Sequence, residues 1–194
     1  LRERQAFPRQ AVAITFDDGY RDNFVHALPV LRSFGFPATV YVTTGAIGVG
    51  PRFWPARVRG ALLETSKTRP DLGELGRFDL SSERAREDAV SRVTRRLKLL
   101  NNEERASSIE RLVAETGLAD PIHGSDNWFM NWNELREMAA AGIEIGAHTR
   151  SHPILTRLAD ESAASEIRGS REELESGLGR PVHHFAYPNG GGVI

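Results

Sequence analysis

Ala11–Tyr20 reads AVAITFDDGY, and the fold follows from how this stretch is taken. Small and β-favouring residues lead through Thr15 and Phe16 into two adjacent carboxylates, Asp17 and Asp18, and then Gly19. The apolar run is too short and too rich in branched residues for a helix, so it predicts a short buried strand. The acids fall where that strand ends, beside a glycine able to take backbone angles closed to other residues. In α/β folds, sites are built at the carboxyl ends of strands. By itself the stretch is equally a polar turn, and two later stretches decide between these readings.

Before it, LRERQAFPRQ is a polar lead-in. After it, Asp22 is placed to cap a short helical turn, and Pro29 suits the first turn of a helix through Leu31 and Phe34 that Gly35 ends. Pro37–Thr43 predicts a second strand, buried on both faces by its near-continuous apolar character. Strand, helix and strand within about thirty residues make a βαβ unit, and hence a parallel sheet.

From Phe53 to about Leu118 the chain becomes charged and helical in period. Ala85, Ala89, Val93, Leu97 and Leu100 form one apolar stripe. Asn101 with Glu104 is a cap and its return partner, opening a helix through Ile109, Leu112 and Val113 that Gly117 closes. The arginines and glutamates of this helical insertion (about 53–118) read as solvated faces. Trp128–Trp132 then approaches a helix capped by Asn133, with Leu135, Met138 and Ala139 inward and Gly142 at its end. Ile143–Ala147 is a third strand with His148 directly at its end. A helix from near Asp160 carries Ala163, Ala164, Ile167, Leu174 and Leu178 on one face and ends at Gly179. Pro181 introduces a fourth strand, Val182–Tyr187, which runs into Pro188, Asn189 and three glycines. No repeat of solenoid period is present.

Composition narrows the chemistry. The 194 residues suffice for one sizeable core with an insertion, so residues 1–194 are expected to form a single domain. A hydrophobic content of 40% and a charged content of 26% are ordinary for a globular protein. A net charge of -1 gives no electrostatic footprint for nucleic acid or an anionic membrane surface. With no cysteine, any metal must be held by His, Asp or Glu. No apolar run approaches the roughly 20 residues of a membrane span. No basic-then-apolar leader is present either, so the chain reads as cytoplasmic or as a piece of a processed protein.

His148-Thr-Arg-Ser-His152-Pro153 places two imidazoles four residues apart, which in a helical turn sets both rings on one side to grip one cation. Alone the pair is weak evidence, two surface histidines being the commoner explanation. Here the first His follows a buried strand, as Asp17 and Asp18 do, and parallel strands bring such ends together. Two imidazoles and one carboxylate are the three-ligand set of a hydrolytic zinc site with a position open for water. A second carboxylate beside it can serve as the base for that water. At the next strand end, in Phe185-Ala-Tyr-Pro-Asn-Gly190, the backbone N–H of Tyr187 can face a developing oxyanion.

These stretches resemble the polysaccharide deacetylases of the NodB homology type, carbohydrate esterase family 4. TFDDGY resembles the family's first motif, HTRSHP its second and FAYPNG its third, in the family's order from about residue 11 to the chain end. The resemblance implies Asp17 as general base, and Asp18, His148 and His152 as ligands of a divalent metal, usually zinc. It implies Tyr187 as an oxyanion donor through its backbone N–H. The substrate would be an acetylated saccharide, losing an N- or O-acetyl group, met at the periplasm or cell surface. The implied fold is a distorted, incomplete (β/α) barrel with the site at the strand C-termini. Tyr20, Pro188 and Asn189 are the candidate substrate-binding residues, and Trp54, Trp128 and Trp132 are further candidates for a sugar platform.

Two departures accompany the resemblance. Ala186 stands where the family's third motif often has an arginine that orients the base. The later Leu-x-x-His motif, whose histidine protonates the leaving group, has no counterpart after Asn189. The expectation is that the C-terminal part of the domain is missing, with an apolar edge exposed, and that this length of chain binds metal but deacetylates poorly. Competing readings are a catalytically silent saccharide-binding domain that keeps the metal and an allantoinase-type amide hydrolase on the same barrel. A phosphoryl-transfer site of the aspartyl-phosphate type places a residue between its two acids and uses oxygen-bound magnesium, so it fits poorly.

Overall fold

A computed structural model describes residues 10–48, 54–117 and 128–189 of the chain. β1 (Thr15–Phe16) pairs in parallel with β2 (Thr39–Val42), with Thr15 opposite Thr39. β2 pairs in parallel with β3 (Glu144–Ala147), with Val42 opposite Ala147. The order β1-β2-β3 with one common direction makes Asp17, Thr43 and His148 leave the sheet from the same edge.

The βαβ unit is present. α1 (Leu28–Phe34) joins β1 to β2, carries Pro29 in its first turn and ends at Gly35 in the left-handed region. One π-helical turn, Asn23–Ala27, precedes it. Asp22 makes no capping bond, because its backbone is already helical at φ -60°. α5 (Trp132–Ala140) and α6 (Asp160–Leu178) pack against the sheet. One core joins Leu28, Leu31, Val40, Leu135, Ile145 and Leu174.

Three strand expectations need correction. β1 is not buried: Val12 is 87% exposed, and only Ile14 and Phe16 are partly covered. Among the described residues β1 has a partner on one side only, so it behaves as an edge strand. β2 alternates, burying Val40 and Val42 while Thr39 and Tyr41 stay half-covered, because the core lies against one of its faces. Val182–Tyr187 makes one parallel bridge, Ala147 to Phe185, with Ala147 N donating to His184 O at 2.8 Å and Ala186 N to Ala147 O at 3.0 Å. Pro181 and Pro188 lack N–H donors at the two ends of this segment, so the ladder stops there. The architecture is α/β, and no closed barrel is seen among the described residues. Most of the lead-in, Phe53, Leu118, and the glycines and chain end after Asn189 lie outside the described residues.

The insertion has a core of its own. α2 (Trp54–Glu64), α3 (Glu83–Leu99) and α4 (Asn102–Thr116) enclose Val58, Leu62, Ala89, Val93, Leu97 and Leu112. Three of the five predicted stripe residues, Ala89, Val93 and Leu97, are fully buried. The capping box forms as read, with Asn101 Oδ1 accepting from Glu104 N at 2.9 Å and Glu104 Oε2 from Asn101 N at 3.2 Å. At α5 the cap is Asn131 in place of Asn133. Its Oδ1 accepts from Asn133 N at 2.9 Å and Glu134 N at 3.0 Å, and Glu134 returns the bond at 3.0 Å.

Leu112 is 1% exposed in the insertion core and remote from the sheet. Leu112→Ala is expected to lower stability by about 2–5 kcal/mol, read as a lower denaturant midpoint. A loss under about 0.5 kcal/mol, the range of ordinary surface changes, would mean that this core is not packed as described.

Candidate active site

Asp18 lies just past β1 with φ 72°, which turns its carboxylate in toward the exit of β3. The next residue, Gly19, has φ 83° and is buried against the Val42 side chain, so a residue with a side chain would be strained there. Met130 N donates to Gly19 O at 3.0 Å, Arg21 N to Trp128 O at 2.7 Å, and Arg21 Nε to Glu134 Oε1 at 2.7 Å. The acid turn is thereby fastened to the start of α5.

The histidine segment is not helical, contrary to the reading from spacing. His148 continues β3, its N donating to Val42 O at 3.0 Å. Thr149 and His152 then take left-handed backbone angles, φ 67° and 55°. This loop folds back so that both imidazole Nε2 atoms reach one oxygen. His148 Nε2 is 3.4 Å and His152 Nε2 3.2 Å from Asp18 Oδ1. The loop is held from several sides. Thr44 N and Gly45 N donate to Thr149 O and Arg150 O at 3.1 and 2.8 Å. Glu166 of α6 accepts from Arg150 N, Ser151 N and Ser151 Oγ at 2.7, 2.9 and 2.6 Å. Trp54 of α2 donates through Nε1 to His152 O at 3.3 Å.

Protonation states follow from these contacts. His148 Nδ1 is 2.9 Å from Ala186 O, and a carbonyl only accepts, so Nδ1 carries a hydrogen and Nε2 is the ring nitrogen that faces Asp18. Asp18 Oδ1 is itself buried and takes no hydrogen bond of ordinary geometry. A lone pair facing a carboxylate oxygen is repulsive unless a cation or a proton lies between them. Two imidazole nitrogens and a carboxylate oxygen, all within 4.8 Å of one another, are a donor set suited to zinc, so these residues fit a divalent cation. Burial acts to raise the Asp18 carboxyl, but the adjoining His148 and His152 imidazoles outweigh it and bring it from 3.8 to about 2. A carboxyl held low in the folded state adds stability that is present above pH 3.8 and lost as pH falls toward about 2.

The other sequence candidates separate. Asp17 and Asn189 line the same cavity of about 250 Å³ as the Asp–His cluster. Asn189 has φ 58°, and its Nδ2 is buried without a hydrogen bond among the described residues. Pro188 is buried beside it. Tyr187 is 65% exposed, its ring edge-on to Phe185 at 5.1 Å. Tyr20 does not line that cavity: it stacks on Phe129 at 4.7 Å and lines a separate depression with Asp22 and Trp128. Burial, with Asp18 and Asp22 nearby, pushes the Tyr20 phenol well above its ordinary value. Trp54 is a buried strut under His152 and does not present a sugar platform, and Trp132 lies half-buried against the core of the sheet. Sequence reasoning missed Glu166, the Trp54 strut, and Thr94 and Lys98 of α3, which also line the cavity. Each arises from packing between distant elements and leaves no local signal.

A family model described as Polysaccharide deacetylase matches residues 4–64 and 108–192, most of the chain. The chain is 49% identical over 39 residues to YxkH of Bacillus subtilis (strain 168), whose curated name is that of a polysaccharide deacetylase. That match takes in 20% of this chain and 14% of YxkH. Among solved structures, the chain is similar to IcaB from Ammonifex degensii, with TM-score 0.54 and 20% identity over 98% of this chain and 55% of that one. It is also similar to the Streptococcus pyogenes deacetylase PplD in complex with acetate, with TM-score 0.52 and 18% identity over 98% of this chain and 51% of that one. The chain thus spans about half the length of these solved relatives. The likeness to them shows the α/β fold.

Glu166 carries three hydrogen bonds to the loop between the two histidines. Glu166→Ala is expected to weaken Zn²⁺ binding about 10–100-fold, the scale seen when supporting partners of metal ligands are lost. A competition titration against a chromophoric chelator reads it. An unchanged dissociation constant would mean that the loop keeps its shape without α6.

Proposed function

The chain belongs to the polysaccharide deacetylase family, and on that footing we propose that it is a metal-dependent hydrolase removing N- or O-linked acetyl groups from a polysaccharide or oligosaccharide. The observation that carries the reading is that a free carboxylate, Asp17, shares one cavity with the Asp18–His148–His152 cluster. A site for binding metal alone has no use for that second acid. We further read the three-stranded sheet as part of a distorted (β/α) barrel, acting on saccharides at the periplasm or cell surface.

Asp18 Oδ1, His148 Nε2 and His152 Nε2 would hold the cation, with His148 kept in the ligating tautomer by Ala186 O. A divalent cation bound there supplies Lewis acidity toward the acetyl carbonyl and acidifies a water. Asp17, exposed at the cavity wall, accepts the proton of the attacking water. The backbone N–H of Tyr187 donates to the oxyanion as the carbonyl carbon becomes tetrahedral. Collapse of that centre breaks the bond to the sugar nitrogen or oxygen and releases the acetyl group as acetate, while the leaving nitrogen or oxygen takes up the proton that Asp17 accepted. Asn189, whose Nδ2 has no partner among the described residues, would hold the sugar beside the acetyl group.

The test combines metal analysis with acetate release from chito-oligosaccharides and acetylated xylan. Asp17→Asn is expected to lower kcat about 10²–10⁴-fold while retaining the metal, as loss of a general base does. Full activity in Asp17→Asn would remove the base from the scheme. Bound metal with no acetate from wild type would make the domain a saccharide binder, and failure to bind metal would overturn the hydrolase.

A further inference from the structure

The cavity that holds the acids and histidines has a wall from a different source. Thr94 and Lys98 of α3 line it together with Asp17, Asp18, His148 and His152. They are four residues apart on one helix and therefore share a face. That face lies beside the Ala89–Val93–Leu97 stripe, which is committed to the insertion core. Both residues fall between the two stretches that the family model matches, 4–64 and 108–192. The groups that could hold the cation and move the proton thus come from the shared part of the chain. The α3 wall comes from the stretch that the family model does not match.

Lys98 is partly buried, and its ammonium makes no ion pair or hydrogen bond among the described residues. Three arginines of the insertion are, by contrast, held by carboxylates: Arg57 by Glu110, Arg59 by Glu87, Arg92 by Asp88. Charge counting gives the unpaired lysine a role. Asp17 and Asp18 carry two negative charges, a divalent cation balances them, and Lys98 leaves the loaded cavity with one positive charge in excess. A neutral acetylated sugar does not use that charge. One ammonium beside one hydroxyl donor matches a singly charged group with two acceptor oxygens. A phosphate dianion would call for a forked or multiple cation instead.

Resting on the deacetylase reading above, we propose that Thr94 and Lys98 form a subsite for a carboxylate carried by the saccharide. The preferred substrate is then an acidic acetylated saccharide, with a carboxylate on or next to the sugar that bears the acetyl group. The ammonium pairs with the carboxylate, the Thr94 hydroxyl donates to its second oxygen, and the acetyl group is thereby aligned over the metal ligands. The insertion sets which polymer is accepted, and the cluster at the strand ends sets the reaction.

The experiment uses the metal-loaded full chain and two acetylated oligosaccharides that differ only in charge, a uronic acid and its methyl ester. The acid is expected to be preferred in kcat/KM by about tenfold or more, as for a hydrogen-bonded charged group. Lys98→Met keeps the aliphatic stem and should abolish the preference by raising KM for the acid, leaving the ester within about twofold. Lys98→Arg should restore most of it. Calorimetry of acid and ester binding to the Asp17→Asn protein reads the same subsite without turnover. Equal turnover of acid and ester by wild type, or an equal loss of both in Lys98→Met, overturns the subsite. Absence of acetate from either substrate is failure of the deacetylase reading, and calorimetry then decides alone: tighter, Lys98-dependent binding of the acid sustains the subsite, and equal or undetectable binding overturns it.

Discussion

One carboxylate oxygen, Asp18 Oδ1, faces two imidazole nitrogens at 3.4 and 3.2 Å, and the arrangement of the sheet serves that meeting. Asp18 and His148 are far apart in sequence and adjacent in space because β1 and β3 flank β2 in parallel, so their carboxyl ends share an edge. An antiparallel β3 would deliver His148 to the opposite edge and leave Asp18 alone. The hand and direction of the βαβ connection are therefore constraints on the chemistry as well as on packing.

Bringing three acceptor-rich atoms together is unfavourable by itself, and the surrounding backbone carries part of the cost. Four of the five non-glycine residues with positive φ among the described residues, Asp18, Thr149, His152 and Asn189, lie in the loops around the cavity. Each such residue costs on the order of 1–3 kcal/mol. Those angles persist because β2's exit and α6 hold the histidine loop through directed hydrogen bonds, at distances of 2.6–3.1 Å to Gly45, Thr44 and Glu166. Gly45 is part of this constraint: a Cβ there would sit 2.5 Å from Arg150 O, the carbonyl that its own N–H binds. The loop approaches β2 as closely as a backbone without a side chain permits.

What the sequence disclosed and what it concealed divide along physical lines. Apolar periodicity and capping chemistry are local, so α1 with Pro29, the stripe of α3 and the Asn101–Glu104 box could be read directly. Strand ends followed by Asp-Asp-Gly and by His were likewise visible. The cap of α5 was misplaced by two residues because Asn131 and Asn133 are the same residue type, and the chain direction into the helix decides between them. The burial of β1 was misjudged because it depends on what lies beyond the strand. Helical spacing for His148 and His152 was the wrong geometry for the right pairing: left-handed angles at Thr149 and His152 bring the rings together where spacing alone suggested a helix. The cavity wall from α3 was hidden entirely, since Thr94 and Lys98 look like any solvated flank of an amphipathic helix.

The insertion is built to influence the site without disturbing the sheet. Most of its apolar residues form a cluster separate from the core under β2 and β3, with Ala56 of α2 packed instead against Ala46 and Phe129. It nevertheless reaches one of the candidate metal ligands through Trp54. The Arg105 guanidinium of α4 lies 5.4 Å from the centre of the Trp54 ring, and Trp54 Nε1 donates to the carbonyl of His152, a residue at φ 55°. Pro55 of α2 and Thr94 and Lys98 of α3 line the cavity, and Trp54 of the same α2 bonds the carbonyl of His152, so the insertion supplies both a wall of the cavity and a support for one of its three candidate ligands.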